Sequence, residues 1–135
     1  QTCNMGQTSH DSVSATLSYE DGSLANILYY AQGNKQYPKE KLEIACDDQT
    51  IVIDDYRTME VYGSKKERKR GAQDKGFDAE IEALVNTVIK GGLPPITFSE
   101  IIETTLVTFA INDALNTGET VSISEKYQGI LDSRQ

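Results

Sequence analysis

"KLEIACDDQTIVIDDYRTMEVY", residues 41–62, holds short apolar runs separated by acidic pairs. Leu42, Ile44 and Cys46 alternate with Lys41, Glu43 and Ala45, which is the period of a strand with one covered face. Asp47-Asp48-Gln49 turns the chain into Ile51-Val52-Ile53, and Asp54-Asp55 turns it again into a strand around Met59, Val61 and Tyr62. Adjacent carboxylates at such places form turns, whereas the acid and base of a hydrolase belong inside a cleft. Strands joined by short turns pair with their neighbours, so the segment predicts an antiparallel meander. Cys46 is expected to be a small buried hydrophobe.

Toward the N-terminus, Val13, Ala15, Leu17 and Tyr19 alternate with Ser14, Thr16 and Ser18. Asp21-Gly22 then predicts a type I′ hairpin turn with positive φ at both residues. The return strand, Leu24 to Tyr30, is apolar on both faces and reads as a central strand, which brings the sheet to about five strands. Gly33-Asn34 and Pro38 break the connection to residue 41. Tyr19, Tyr29, Tyr30, Tyr56 and Tyr62 lie in or beside strands, where a core role is the default and an interface the alternative.

Toward the C-terminus, "KKERKR" (Lys65 to Arg70) reads as a solvated connection between Gly63-Ser64 and Gly71, with a phosphate-facing loop as the sharper alternative. The period then changes. Phe77, Ile81, Leu84, Val85, Val88 and Ile89 share one face of a helix that Gly91-Gly92 ends. A second helix opens on a capping box, Thr97 with Glu100, and its apolar stripe runs through Ile102, Leu106, Phe109 and Ala110 to Thr117-Gly118. "TVSI" is expected to form a last strand. The plan is one α+β domain over residues 1–135, a mainly antiparallel open-faced sheet with two helices packed on one face. The sheet face away from the helices is then exposed or covered by another chain.

Length, 135 residues, allows one core but not a cofactor domain beside a substrate domain. Hydrophobic residues at 38% with no long apolar run give no membrane span, and a net charge of −8 opposes a nucleic-acid partner. The polar opening "QTCNMGQTSHDS" lacks the pattern of a signal peptide and does not start with Met, so the chain is expected to be cytoplasmic and processed or cut from a longer one. Cys3 and Cys46 have neither metal-site nor disulfide-framework spacing.

Chemistry is sparse. There is no dinucleotide fingerprint, no Walker loop and no zinc-protease motif, so no catalytic, cofactor-binding or metal residue is assigned. The single histidine, His10, lies in a polar segment and reads as a surface residue, and nearby Ser12 and Ser14 form no triad with it. Lys75, beside Gly76 at the entry to the first helix, is the one candidate substrate-binding residue, because a lysine there can reach an anionic or hydroxylated ligand. A solvated lysine is the plainer alternative.

"DSVSATLSYEDGSLANILYYA", "YPKEKLEIACDDQTIVIDDYRTMEVYG" and "QDKGFDAEIEALVNTVIKGGLPPITFSEIIETTLVTFAINDALNTGETVSI" together resemble the C-terminal domain of the Gfo/Idh/MocA family of NAD(P)-dependent oxidoreductases, from about Asp11 to Ile123. The resemblance implies a fold like the C-terminal domain of glyceraldehyde-3-phosphate dehydrogenase. It also implies a parent dehydrogenase acting on a sugar, cyclitol or nucleotide-sugar. The implied partners are an N-terminal Rossmann domain that binds NAD or NADP and further copies joined through the open sheet face. The family's Glu-Lys-Pro motif and its catalytic Asp and His have no counterpart here. His10 lies too close to the hairpin to be that histidine, and the chain alone is expected to be inactive. The alternative is a stand-alone binding or assembly module with the same fold.

Overall fold

The computed structural model describes residues 12–132, so Cys3, His10 and Asp11 lie outside the described residues. The chain forms two compact units that meet between Lys75 and Gly76 in sequence. The class is α+β with antiparallel sheets: among the described residues six strands precede four helices.

The first unit opens on a hairpin of β1 (Val13–Ser18) and β2 (Leu24–Tyr29), in register from Val13 opposite Tyr29 to Ser18 opposite Leu24. Its turn is not type I′. Gly22 N donates to Tyr19 O and Tyr19 N to Ser23 O, both at 3.0 Å, and at this turn only Gly22 has positive φ (86°). Three residues, Glu20 to Gly22, therefore close the hairpin, with the left-handed conformation left to glycine. Asp21 instead accepts from Ser23 N at 2.9 Å, an Asx turn that suits the ordinary φ range.

β2 is also not a central strand. Among the described residues it pairs only with β1, and Leu24, Leu28, Tyr29 and the following Tyr30 are exposed. The chain leaves it through a loop in which the Asn34 side chain accepts from Gln36 N and Asn34 O accepts from Tyr37 N, and then begins a separate sheet. All five of the strand-associated tyrosines are exposed, which removes the core role expected for most of them.

The second sheet is the meander read from residues 41–62, extended by one strand: β3 (Lys41–Cys46), β4 (Gln49–Asp54), β5 (Thr58–Tyr62) and β6 (Glu67–Arg70), paired in that order. Asp47 and Asp48 (φ 46° and 59°) form a two-residue type I′ turn, and Asp55 and Tyr56 (φ 51° and 53°) are also both left-handed, with Arg57 N donating to Asp54 O at 2.9 Å, although the pairing of Asp54 with Thr58 leaves three residues in that loop. The basic run expected as a connection is in part strand, because Glu67 to Arg70 pair with Val61 to Thr58. Asp48→Gly should stabilise the first unit by about 1 kcal/mol, since glycine takes left-handed φ without steric cost. Urea denaturation checks this.

Alternation and register place Leu42, Ile44 and Cys46 with Ile51, Ile53, Met59 and Val61 on one face of this sheet. The opposite face carries Lys41, Glu43, Thr50, Asp54, Thr58 and Glu60, with Ala45, Val52 and Tyr62 among them. The apolar face is only half covered: Leu42 and Ile44 are exposed, and Ile51, Ile53, Met59 and Val61 are half-buried. Cys46, expected inside, is exposed, because it sits at the strand end beside the Asp47-Asp48 turn.

The second unit begins with α1 (Phe77–Lys90), which Gly76 enters and Gly91 ends, both with positive φ. Its apolar stripe has formed, yet Phe77, Ile81, Leu84, Val85, Val88 and Ile89 are all exposed. α2 (Phe98–Thr117) carries the expected capping box: Thr97 Oγ1 accepts from Glu100 N, and the Glu100 carboxylate accepts from Thr97 N at 2.7 Å. Leu106 and Ala110, one turn apart, are the buried apolar residues among those described, and Ile102 above them is half-buried. Phe109, placed on the same stripe by sequence, is exposed. It lies about 100° around the helix from Ala110, off the covered line.

The expected last strand is absent among the described residues. Residues 120–122 pair with no strand, and Ser122 instead caps α3 (Ile123–Lys126), its hydroxyl accepting from Glu125 N at 3.4 Å. α4 (Gln128–Asp132) follows. α3 is tied to α2 by Asp113, whose Oδ2 accepts from Lys126 Nζ at 2.6 Å and from the Tyr127 hydroxyl at 2.8 Å. The Lys126 and Tyr127 hydrogen bonds hold the Asp113 carboxyl below its ordinary value of 3.8. A depressed carboxylate contributes stability above its unfolded value and loses it as pH falls through the lower folded value. Acidification from pH 5 should therefore release α3 in that window, and Asp113→Asn should remove the step, as read by Tyr127 ring shifts in NMR.

Candidate functional site

Lys75 lies at the end of the first unit, where three stretches of chain meet. Gly71 N donates to Arg57 O at 2.9 Å and Asp74 N to Tyr56 O at 3.2 Å, so the segment after β6 is fastened along the β4–β5 turn. Asp55 N donates to Glu40 O at 2.7 Å, which fixes the entry to β3 against the same turn. Gln73 Nε2 adds a bond to Asp55 O at 3.1 Å. Each backbone group bonded here would otherwise need water, so the bonds specify the path of the loop.

The side chains converge accordingly. Lys75 Nζ donates to Glu40 Oε1 in an ion pair and sits 6.0 Å from the centroid of the Tyr56 ring. Both side chains of the pair are 31% exposed. The Glu40 hydrogen bond raises the Lys75 pKa above its ordinary 10.5. The ammonium is thus present throughout the neutral range, and any stability it contributes is lost only as pH rises through that higher value. Asp55 is bonded to Arg57 Nε at 3.0 Å, and that bond lowers its pKa. The second carboxylate oxygen of Glu40, Oε2, is buried with no hydrogen-bond partner among the described residues.

Lys75, Glu40, Asp55 and Gln73 line an open cleft of about 300 Å³ with Lys35, Gln36, Tyr37, Pro38 and Lys39. It offers ammonium donors, carboxylate acceptors, an amide and a tyrosine ring, a set suited to a hydroxyl-rich or anionic small molecule. No histidine or cysteine stands among the described residues that line it. Among the described residues no group of His, Cys, Asp and Glu is placed to hold a metal ion. No helix among them is long and apolar enough to cross a membrane.

The structure brings Lys75 to Glu40, Asp55, Tyr56 and Gln73, none of which sequence reading attached to it. Glu40 is 35 positions away. The single short-range signal was the Asp54-Asp55 turn, whose second residue lines the cleft. Asp47-Asp48 forms the β3–β4 turn and does not line it, and the run Lys65 to Arg70 does not line it either. Comparison with family models, with curated proteins and with solved structures finds no match to the chain.

Proposed function

We propose that the chain is the C-terminal substrate and oligomerisation domain of an NAD(P)-dependent oxidoreductase of the Gfo/Idh/MocA type, acting on a sugar, cyclitol or nucleotide-sugar. The observation that carries the reading is the half-covered apolar face of the β3–β6 sheet, Leu42, Ile44, Ile51, Ile53, Met59 and Val61. An antiparallel sheet with one apolar face stays in water only if something covers that face. In the family the open sheet of this domain meets other copies and forms one wall of the substrate site. The fold proposed is that of the glyceraldehyde-3-phosphate dehydrogenase C-terminal domain.

On this reading the nicotinamide cofactor belongs to a Rossmann domain encoded upstream, and hydride transfer needs residues of that domain. Lys75, oriented by Glu40, binds a substrate hydroxyl or phosphate as one point of the wall. The deciding experiment is the mass of the endogenous gene product, immunoprecipitated from its source cell. The expected size is that of two domains, on the order of 300 residues or longer. A product no longer than this chain overturns the proposal. In the full-length enzyme Lys75→Met should raise KM for the sugar substrate about tenfold and leave kcat nearly unchanged, the signature of a binding contact.

A further inference from the structure

The meander sheet ends on β6, whose residues Glu67, Arg68, Lys69 and Arg70 are all exposed. Lys65 and Lys66 precede them, so five cations occupy six positions in a chain of net charge −8. Gly71 N donates to Arg57 O, one step beyond the pair Thr58–Arg70. Hydrogen-bonded and non-bonded pairs alternate along an antiparallel ladder, so Lys69 and Glu67 turn their backbone groups toward β5. The N–H and C=O groups of Arg68 and Arg70 consequently point off the open edge. Such a row is a template for a further strand.

The side chains on that edge are sorted by face. Arg68 and Arg70 stand with Glu60 and Thr58 on the polar face, while Glu67 and Lys69 stand beside Val61 and Met59. Glu60 is 3.6 Å from both Lys66 and Arg68 and is shared between them. Lys65, Lys69 and Arg70 form no ion pair among the described residues. The edge is therefore positive, with two carboxylates, Glu60 and Glu67, set against five cations.

We infer that the β6 edge binds an extended acidic peptide as a fifth strand of this sheet. Its carboxylates, at every second position, face Arg68 and Arg70, and the apolar residues between them stand beside the stems of Glu67 and Lys69, on the side of the sheet that carries Met59 and Val61. Main-chain bonds supply the affinity and the alternating side chains the selectivity. A second copy of β6 is a poor occupant, because it sets cation against cation across the ladder. A polyphosphate or nucleic acid matches the charge but has no peptide groups to bond Arg68 and Arg70 and nothing apolar for the other face.

The test uses the whole chain and a fluorescently labelled, end-capped peptide of alternating Glu and Val, followed by anisotropy and by amide hydrogen exchange. Expected are saturable binding that weakens with salt and slower exchange at the Arg68 and Arg70 amides. Exchanging both arginines for Glu should weaken binding at least about tenfold, with the circular dichroism unchanged. A peptide of the same charge, N-methylated on the amides that face β6, should lose a similar factor. Three results would each overturn the proposal: no binding, equal binding of the N-methylated peptide, or displacement by inorganic polyphosphate at equal charge without change in amide exchange. The last two would leave β6 as a simple cation patch.

Discussion

Leu106→Ala should lower the stability of the second unit by about 3 kcal/mol, the largest effect of any single truncation among the described residues. Leu106 is 2% exposed, and Ala110, one turn on, is 6% exposed. No other apolar residue among those described is buried to that degree. The substitution removes most of a buried side chain and leaves a cavity that α2 cannot close, since the helix is held at its start by the Thr97–Glu100 box and near its end by Asp113. For a unit of this size each kcal/mol moves Tm by roughly 4–8 °C, so the transition read by helical circular dichroism should fall by well over ten degrees. Leu93→Ala, at a residue 84% exposed, is the control and should cost less than about 0.5 kcal/mol. If the two variants melt together, α2 has no core face.

The elements were legible where local physics decides them. The meander could be read because Asp47-Asp48 and Asp54-Asp55 interrupt runs of period two, and α2 could be read to its first residue because its cap is a contiguous motif. Misreadings arose where a neighbour decides. β2 is apolar on both faces, yet no third strand pairs with it among the described residues. Thr120 to Ser122 have β-branched residues, but the Ser122 cap takes precedence and starts α3. Lys65 to Arg70 looked like a loop because charge runs usually are, and an exposed edge strand is one of the few places where such a run can pair. The α1 stripe is legible in its period, although period says nothing about whether the stripe is covered. At the candidate site only Lys75 was singled out, since its partner Glu40 is joined to it by folding alone.

The chain should self-associate through the apolar face of the β3–β6 sheet, and Ile44→Glu should abolish that association. Ile44 is 44% exposed, so a carboxylate there need not enter a core, and the fold should survive the change. Across an interface the same carboxylate would be buried against Leu42, Ile53 and Met59 of the sheets brought together, with no partner for its charge. A central apolar position of this kind is worth about 2 kcal/mol or more, which raises the dissociation constant at least thirtyfold. Sedimentation of the unaltered chain at tens of micromolar should then give a dimer or larger species, and Ile44→Glu a monomer of unchanged circular dichroism. Glu43→Gln, on the opposite face, should sediment like the unaltered chain. Because the proposed contact is apolar, added salt should leave it intact, whereas peptide binding at the β6 edge should weaken as salt screens the arginines. The two surfaces are therefore separable by one salt titration, and a strict monomer for the unaltered chain at high concentration would remove the sheet face as an interface between copies.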